Sequence, residues 1–293
     1  MITFTMDCEN LHHLSGVGGV SDWAFSERSI RGFVDLVEER GYRSTLFLCP
    51  ETAFAHRSWL PEIESRGHEL AMHFHPDSFG DGMARGLTQL GLYPGDIQRK
   101  MLTEGIRVWA DALGRSPLCF RPGCFSANDE TFRILVDLGF RYGSCSSPGR
   151  NERRLGAIWQ PPLLDTHRAN GALRSLPGDL DFVEVPLTVD WEARFAHRFG
   201  WNLPQELLIE RGDIPTLKAV ICKNAIRAIE EQTAVPSICV ATHNVWDFSD
   251  RTDHKTQCIV GLIDSLVQIE THESVQFKKS TIGSIAQAYV DLS

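Results

Sequence analysis

Short apolar runs rich in β-branched and aromatic residues recur along the chain, and each is followed by a longer stretch whose apolar positions fall three and four residues apart. The first pattern has the period of a strand and the second that of an amphipathic helix. Their alternation predicts an α/β fold with a parallel sheet. Strands are expected at Ile2–Met6, Ser44–Leu48, Glu69–His73, Leu118–Arg121, Arg141–Ser144, Phe182–Leu187, Ile238–Thr242 and Val275–Lys278. The Ser29–Arg40 stretch places Ile30, Phe33, Val34 and Val37 on one face, with Ser29 to cap its start and Gly41 to end it, which predicts a helix. Further helices are expected near Pro94–Leu113, Asn128–Leu138, Ile214–Glu231, Asp253–Glu270 and Thr281–Tyr289. The stretch 146–181, with Pro148, Gly149, Pro161, Pro162, Gly171, Pro177 and Gly178, reads as loop. Because the strand pattern resumes after it, the chain is expected to be one domain, residues 1–293, with long loops at about 10–28, 75–95 and 146–181.

Composition narrows the function classes. The chain has 293 residues, 42% of them apolar, enough for a sizeable core, and its formal charge is −9. An acidic chain has no field to attract phosphates, so neither nucleic acid nor an anionic membrane surface is an expected partner. No apolar run approaches the roughly 20 residues a membrane-spanning helix needs. Met1 to Glu9 carry no basic leader or apolar signal stretch, and the chain reads as a soluble cytoplasmic protein. Eight scattered cysteines without a CxxC fit a reducing compartment, and those within apolar strand patterns read as small buried hydrophobes.

In a parallel α/β barrel the reactive groups project from the carboxyl ends of the strands. At the first strand end, alternation puts Thr5, Asp7 and Glu9 on one side, and at the third it aligns His73, His75 and Asp77. Carboxylates and imidazoles from neighbouring strands provide the O and N donors that a divalent metal such as zinc takes. The alternative is that the acids cap loops and the histidines are satisfied near-core groups. His68, on the opposite strand face from His73, reads as structural. Arg121 follows apolar residues at the fourth strand end and implies an anionic partner. Asp190 and His243, at the sixth and seventh strand ends, add a candidate partner and a candidate acid–base histidine. Among the aromatic residues near these ends, Trp23, Trp191 and Trp246 are candidate stacking walls for a sugar ring; Phe25, Phe74 and Phe79 are further candidates. Ordinary packing is the competing reading. The segment Asn10–Phe25 is expected to form one rim of the cleft.

Taken in order, these segments resemble the polysaccharide deacetylase (NodB-homology) family, carbohydrate esterase family four, over nearly the whole chain. Phe4-Thr5-Met6-Asp7-Cys8-Glu9 is similar to the family's Asp-rich first motif, Gly67 through Asp77 to its Gly-His-Glu stretch with paired histidines, and Arg121-Pro122 to its Arg-Pro turn. The run from Asn128 to Phe140 resembles the helix after that turn, Glu184–Trp191 falls where the fourth motif belongs, and His243 matches the fifth. The resemblance implies a distorted, incomplete (β/α) barrel of about seven parallel strands and metal-dependent hydrolysis of an N-acetyl or related amide bond. By carry-over, Asp7 and His73 hold the metal, zinc being the first candidate. His243 is then the acid, and Arg121 with Asp190 orients and tunes the base. Pro122, Trp23, Trp191 and Trp246 are the candidate substrate-binding residues.

Two positions depart from the family pattern. Thr5 stands where the general base belongs, leaving Glu9, Asp77 or a metal-bound hydroxide to substitute. The second histidine of the family aligns with Asp77 while His75 lies between, so either His75 or Asp77 completes the metal site. Two functions are therefore expected: a metal-dependent amidohydrolase acting on an N-acylated sugar or similar small molecule, or a non-catalytic relative that keeps the cleft for carbohydrate binding or a scaffold role in glycan assembly. The sequence does not indicate an oligomeric state.

Overall fold

The computed structural model of the chain describes residues 1–15, 18–79, 89–196, 200 and 202–292. Its centre is an eight-stranded sheet built from β1 (Ile2–Cys8), β2 (Ser44–Leu48), β3 (Glu69–Phe74), β4 (Cys119–Pro122), β5 (Tyr142–Gly143), β8 (His167–Arg168), β9 (Val183–Glu184) and β12 (Ile238–His243). The order across the sheet is β12-β1-β2-β3-β4-β5-β9-β8. Every neighbouring pair is parallel except β8 with β9, so seven parallel strands carry one antiparallel edge. This is the expected incomplete (β/α) barrel. The gap beside β12 is bridged by irregular chain, with Thr188 N donating to Cys239 O and Ala241 N to Leu207 O. Two further ribbons stand outside the main sheet: β6 (Asn151–Glu152) with β7 (Ala157–Ile158), and β10 (Val189–Ala196) with β11 (Asn202–Glu206). Part of the loop expected over about 75–95 lies outside the described residues.

Alternation along each strand separates two apolar regions. Outward-facing Ile2, Phe4, Met6, Leu46, Leu48, Leu70, Met72, Phe74 and Phe120 join the large core beneath the helices. Inward-facing Phe47, Ala71, Cys119, Cys239 and Ala241 form a smaller barrel interior, closed at one end by Ile282 and Ile285. At that end Thr45 Oγ1 donates to Glu69 Oε2 at 2.7 Å, and the same oxygen accepts Gly283 N at 3.0 Å. At the other end the inward positions become Asp7, His73, Arg121 and His243. The pleat therefore carries the interior from apolar to ionisable along a single face.

The covering helices are α1 (Trp23–Glu38), α2 (Pro50–Ala55), α3 (Leu60–Ser65), α4 (Gly95–Leu113), α5 (Thr131–Asp137), α6 (Ile214–Glu230), α7 (His254–Glu273) and α8 (Ile282–Leu292). α1 begins six residues before the expected Ser29, because Asp22 is the cap: its carboxylate accepts Phe25 N at 2.8 Å. Trp23 and Phe25 consequently belong to a helix rather than to the expected rim loop. α2 and α3 were not expected; each is six residues long, too short for helical periodicity to register. The strand expected at Val275–Lys278 is absent. That segment gives β1 a single bridge, Ile2 to Lys279, and goes directly into α8.

Two histidines are built into this scaffold as neutral groups. His68 Nδ1 accepts Ser44 N at 3.1 Å and lies 2.9 Å from Ser44 Oγ, so a proton on Nδ1 would oppose the Ser44 amide. His56 Nε2 lies 2.9 Å from Ser26 Oγ. Burial pushes each down to about 4 from an ordinary value of 6.5. Between those two values the unfolded chain binds protons that the folded chain refuses, so stability falls as pH drops from about 6.5 to 4. Each histidine contributes on the order of 1–3 kcal/mol to that loss. Thermal midpoints measured from pH 7 to 4 should fall, and His68→Gln, which retains an acceptor for Ser44, should flatten the profile; an unchanged slope would show that His68 is not one of the titrating groups.

Candidate metal and catalytic site

The inward register brings the candidate residues together. Asp7 pairs in register with His243 on one side, and His73 with Arg121 on the other. Arg121 is wholly buried. Its Nη1 donates to Asp7 Oδ1 at 2.6 Å and to Thr5 Oγ1 at 2.9 Å, its Nε to Ser144 O at 3.2 Å and its Nη2 to Ser144 Oγ at 3.0 Å. The guanidinium also lies 4.0 Å from the Phe47 ring centroid. Thr5, which also donates to Val240 O at 2.9 Å, thus acts as a support beneath the ion pair. The carboxylate facing Arg121 is Asp7.

Glu9, just beyond the end of β1, lies between two imidazoles. Its Oε1 is 3.4 Å from His73 Nε2 and its Oε2 is 3.3 Å from His75 Nε2. One donor atom from each of Glu9, His73 and His75 lies within 4.8 Å of the others, and all three residues are buried. His73 is oriented by its other nitrogen, Nδ1, 3.0 Å from Arg121 O. That contact leaves the Nε2 lone pair directed at the cluster, as in histidines that bind metals. Among the described residues, His73 Nε2 and both His75 ring nitrogens are buried without a hydrogen-bond partner. A buried N,N,O set with unspent lone pairs fits a divalent metal of the zinc type. Burial alone would raise the Glu9 pKa, but His75 and His73 outweigh it and hold it well below the usual carboxylate range; Glu9 in turn raises His75 against its own burial.

Neighbouring backbone makes room for this cluster and braces it. A Cβ on Gly123 would come within 2.1 Å of the His75 ring, so only glycine lets the Arg-Pro-Gly turn pass there. Glu9 N donates to Asn244 Oδ1 at 2.8 Å and Thr52 Oγ1 donates to Glu9 O at 3.0 Å. Asn244 Nδ2 then reaches Ser26 Oγ at 3.1 Å, linking the site to α1.

His243 is partly exposed, with Nε2 4.0 Å from Asp7 Oδ2 and Nδ1 3.5 Å from Glu210 Oε1. Burial lowers its pKa, but Glu210, Asp7 and Glu9 outweigh that and push it up to about 9. Glu210, in the 3₁₀ turn Ile209–Arg211, is fixed by Thr242 Oγ1 at 2.6 Å and His243 N at 2.9 Å. The sequence reading missed Glu210, because it follows an irregular segment that no apolar period marks. The two aspartates downstream of His243 are engaged locally: Asp247 holds Ser249, and Asp250 holds Thr252.

Other expected site residues are dispersed. Asp190 is in the β10–β11 ribbon, bound to Lys223 Nζ at 2.6 Å, and among the described residues it shares no partner with Arg121 or His243. It is carried there because β9 ends at Glu184 and the following residues enter a ribbon that packs on α6, whose Asn224 donates to Val189 O at 2.9 Å. Trp191, beside it, is exposed on the same outer groove with Lys223 and Arg227. Trp23 meets His56 edge-on at 5.6 Å, and Trp246 is half-buried against the core, with Lys255 Nζ 5.8 Å from its ring centroid. Phe74 is core, and Phe79 packs on it at 5.0 Å. Pro122 is buried at the end of β4, and Asp77 is buried in the turn Pro76–Ser78, outside the Glu9–His73–His75 set.

Removing one member of a buried ion pair leaves the other charged and unpaired, typically at a cost of about 3–5 kcal/mol. Asp7→Ala should therefore lower unfolding free energy in urea by that order, and Arg121→Met in the same background should recover part of it. Equal losses in the single and double variants would show that the pair is not the source.

No protein-family model matches the chain, and no curated protein matches it. Solved structures do. A Mycobacterium smegmatis protein named as a polysaccharide deacetylase superposes with a TM-score of 0.61 at 18% identity, over 99% of this chain and 90% of its own. Puue allantoinase gives 0.61 at 14% identity with the same coverage. A CE4 family pseudoenzyme from Bacillus anthracis gives 0.50 at 11% identity, over 98% of this chain and 65% of its own. With this sheet order and this coverage, the chain has the fold of the polysaccharide deacetylases.

Proposed function

We propose that this protein is a metal-dependent hydrolase of amide bonds other than peptide bonds, removing an N-acyl group, acetyl first, from a sugar or related small molecule. The observation that carries the reading is the convergence, at one end of the barrel, of the Glu9–His73–His75 set with the Asp7–Arg121 and Glu210–His243 pairs. Glu9, His73 and His75 would hold the metal. Bound there, a zinc ion supplies a Lewis acid for the amide carbonyl and acidifies water. Asp7, held through Oδ1 by Arg121, offers Oδ2 to accept the proton of the attacking water. His243, which Glu210 holds through Nδ1 and keeps protonated near neutrality, donates a proton to the departing nitrogen. Thr5 hydrogen-bonds Arg121 and needs no acid–base chemistry of its own.

Metal analysis and acetate release from a panel of N-acetylated sugars test this reading together. Glu9→Ala, His73→Ala and His75→Ala should each abolish stoichiometric zinc. His243→Ala should keep metal and fold while turnover falls by about 10²–10⁴-fold. Should Asp7→Ala lose the metal while Glu9→Ala keeps it, the ligand set is wrong. If wild-type protein dialysed with excess zinc retains none, metal dependence fails. Metal retained without hydrolysis of any amide would favour a binding or scaffold role, the second reading that Thr5 at the expected base position suggests.

A further inference from the structure

Two arginines and a single carboxylate are packed beside this site, and the chemistry above uses none of them. Glu206, at the end of β11, is fully buried. Its Oε1 accepts Arg150 Nε at 2.9 Å, Arg150 Nη2 and Ser147 Oγ; its Oε2 accepts Arg211 Nη1. Arg150 is also buried and directs Nη1 to Cys124 O at 2.6 Å. Arg211 differs. Its side chain keeps 16% exposure, and among the described residues its guanidinium makes one hydrogen bond, to Glu206, with the Phe195 ring centroid 5.7 Å away.

Both guanidiniums hydrogen-bond to the same carboxylate in a place largely removed from water, where a charge short of partners is costly; Glu152 adds a favourable field at Arg150 but not at Arg211. Burial destabilises both cations, and Arg150 further destabilises Arg211. The cluster lies next to the proposed chemistry. Arg211 follows Glu210, the partner of His243, and Cys124 follows Gly123, which packs on His75. The turn Gly123–Cys124 thus touches both groups, His75 at Gly123 and Arg150 at the Cys124 carbonyl.

We propose that Arg211, braced by Glu206 and Arg150, receives a carboxylate of the substrate, so that the N-acyl compounds accepted by this site are acids. The proposal rests on the amidohydrolase reading for the N-acyl half of the substrate alone. A guanidinium whose Nε and Nη2 make no hydrogen bond among the described residues presents the fork that pairs with a carboxylate bidentately, a geometry lysine cannot reproduce. The Phe195 ring, its centroid 5.7 Å from the guanidinium, stands on one side of that fork.

Binding tests it without requiring turnover. N-acetylglucosamine, N-acetylglucosaminuronic acid and N-acetylglutamate are titrated calorimetrically into the full chain dialysed with zinc, and into Arg211→Gln and Arg211→Lys. At least one acid should bind roughly tenfold or more tightly than neutral N-acetylglucosamine, the worth of a charge-assisted hydrogen bond. Which acid does so distinguishes a sugar acid from an acylated amino acid. Arg211→Gln should erase the preference while leaving neutral-sugar binding unchanged, and Arg211→Lys should keep only part of it. The wild-type preference should also shrink as salt is raised, a readout that stands if a variant fails to fold. No preference for either acid in the wild type, or a preference that survives in folded Arg211→Gln, overturns the proposal whether or not any amide is hydrolysed. A preference lost in Arg211→Gln without hydrolysis would sustain it while the deacetylase reading fell.

Discussion

A guanidinium with no exposure to water, inside a barrel lined otherwise by Phe47, Ala71, Cys119 and Cys239, is the constraint around which this molecule is arranged. Desolvating such a cation is affordable only if nearly every donor is satisfied and an anion stands against it. Arg121 meets both conditions with four residues from three places in the chain: Thr5 and Asp7 of β1, Ser144 after β5, and the Cys239 sulfur of β12, 3.5 Å from Nη2. Each belongs to a strand or strand end whose position is fixed by parallel pairing. The ion pair therefore sets how β1, β4 and β12 face one another across the interior.

From that pairing the geometry of the site follows. With Asp7 turned toward Arg121, the next inward group past β1 is Glu9, and it meets His73 of β3 and His75 just past its end. The Arg121 carbonyl orients His73, so one residue holds Asp7 through its side chain and His73 through its backbone. The Arg-Pro-Gly turn after it passes so close to His75 that a side chain at Gly123 has no room. The proposed proton acceptor, metal cluster and proton donor thus hang on a few strand ends, while α1 and α2 secure them through Ser26, Thr52 and Asn244.

The rim is made differently. The β10–β11 ribbon leaves the sheet altogether, carries Asp190 and Trp191 to an outer groove beside α6, and brings Glu206, Glu210 and Arg211 back over the open side of the barrel. The strand ends hold the groups proposed for chemistry, and the returning ribbon supplies charge beside them. In this architecture loops set what a site accepts more often than the strands do.

Much of this was legible in the sequence. Hydrophobic runs alternating with helical spacing located the seven parallel strands to within a few residues, because burial on both faces imposes a continuous apolar signature that single residues cannot disguise. Alternation past the strand ends placed Asp7, Glu9, His73 and His75 on the inner side, since the period of two is a property of the backbone alone. The sequence could not say which of these acids faces the arginine and which faces the histidines. Asp7 and Glu9 share one face and one chemistry, and only the position of Arg121 across the barrel distinguishes them. It could not locate Glu210 or place Asp190 in an outer ribbon either. Both lie in irregular chain or an isolated ribbon, where no period records direction, and their surroundings are decided by contacts between residues far apart in sequence that only the folded chain brings together.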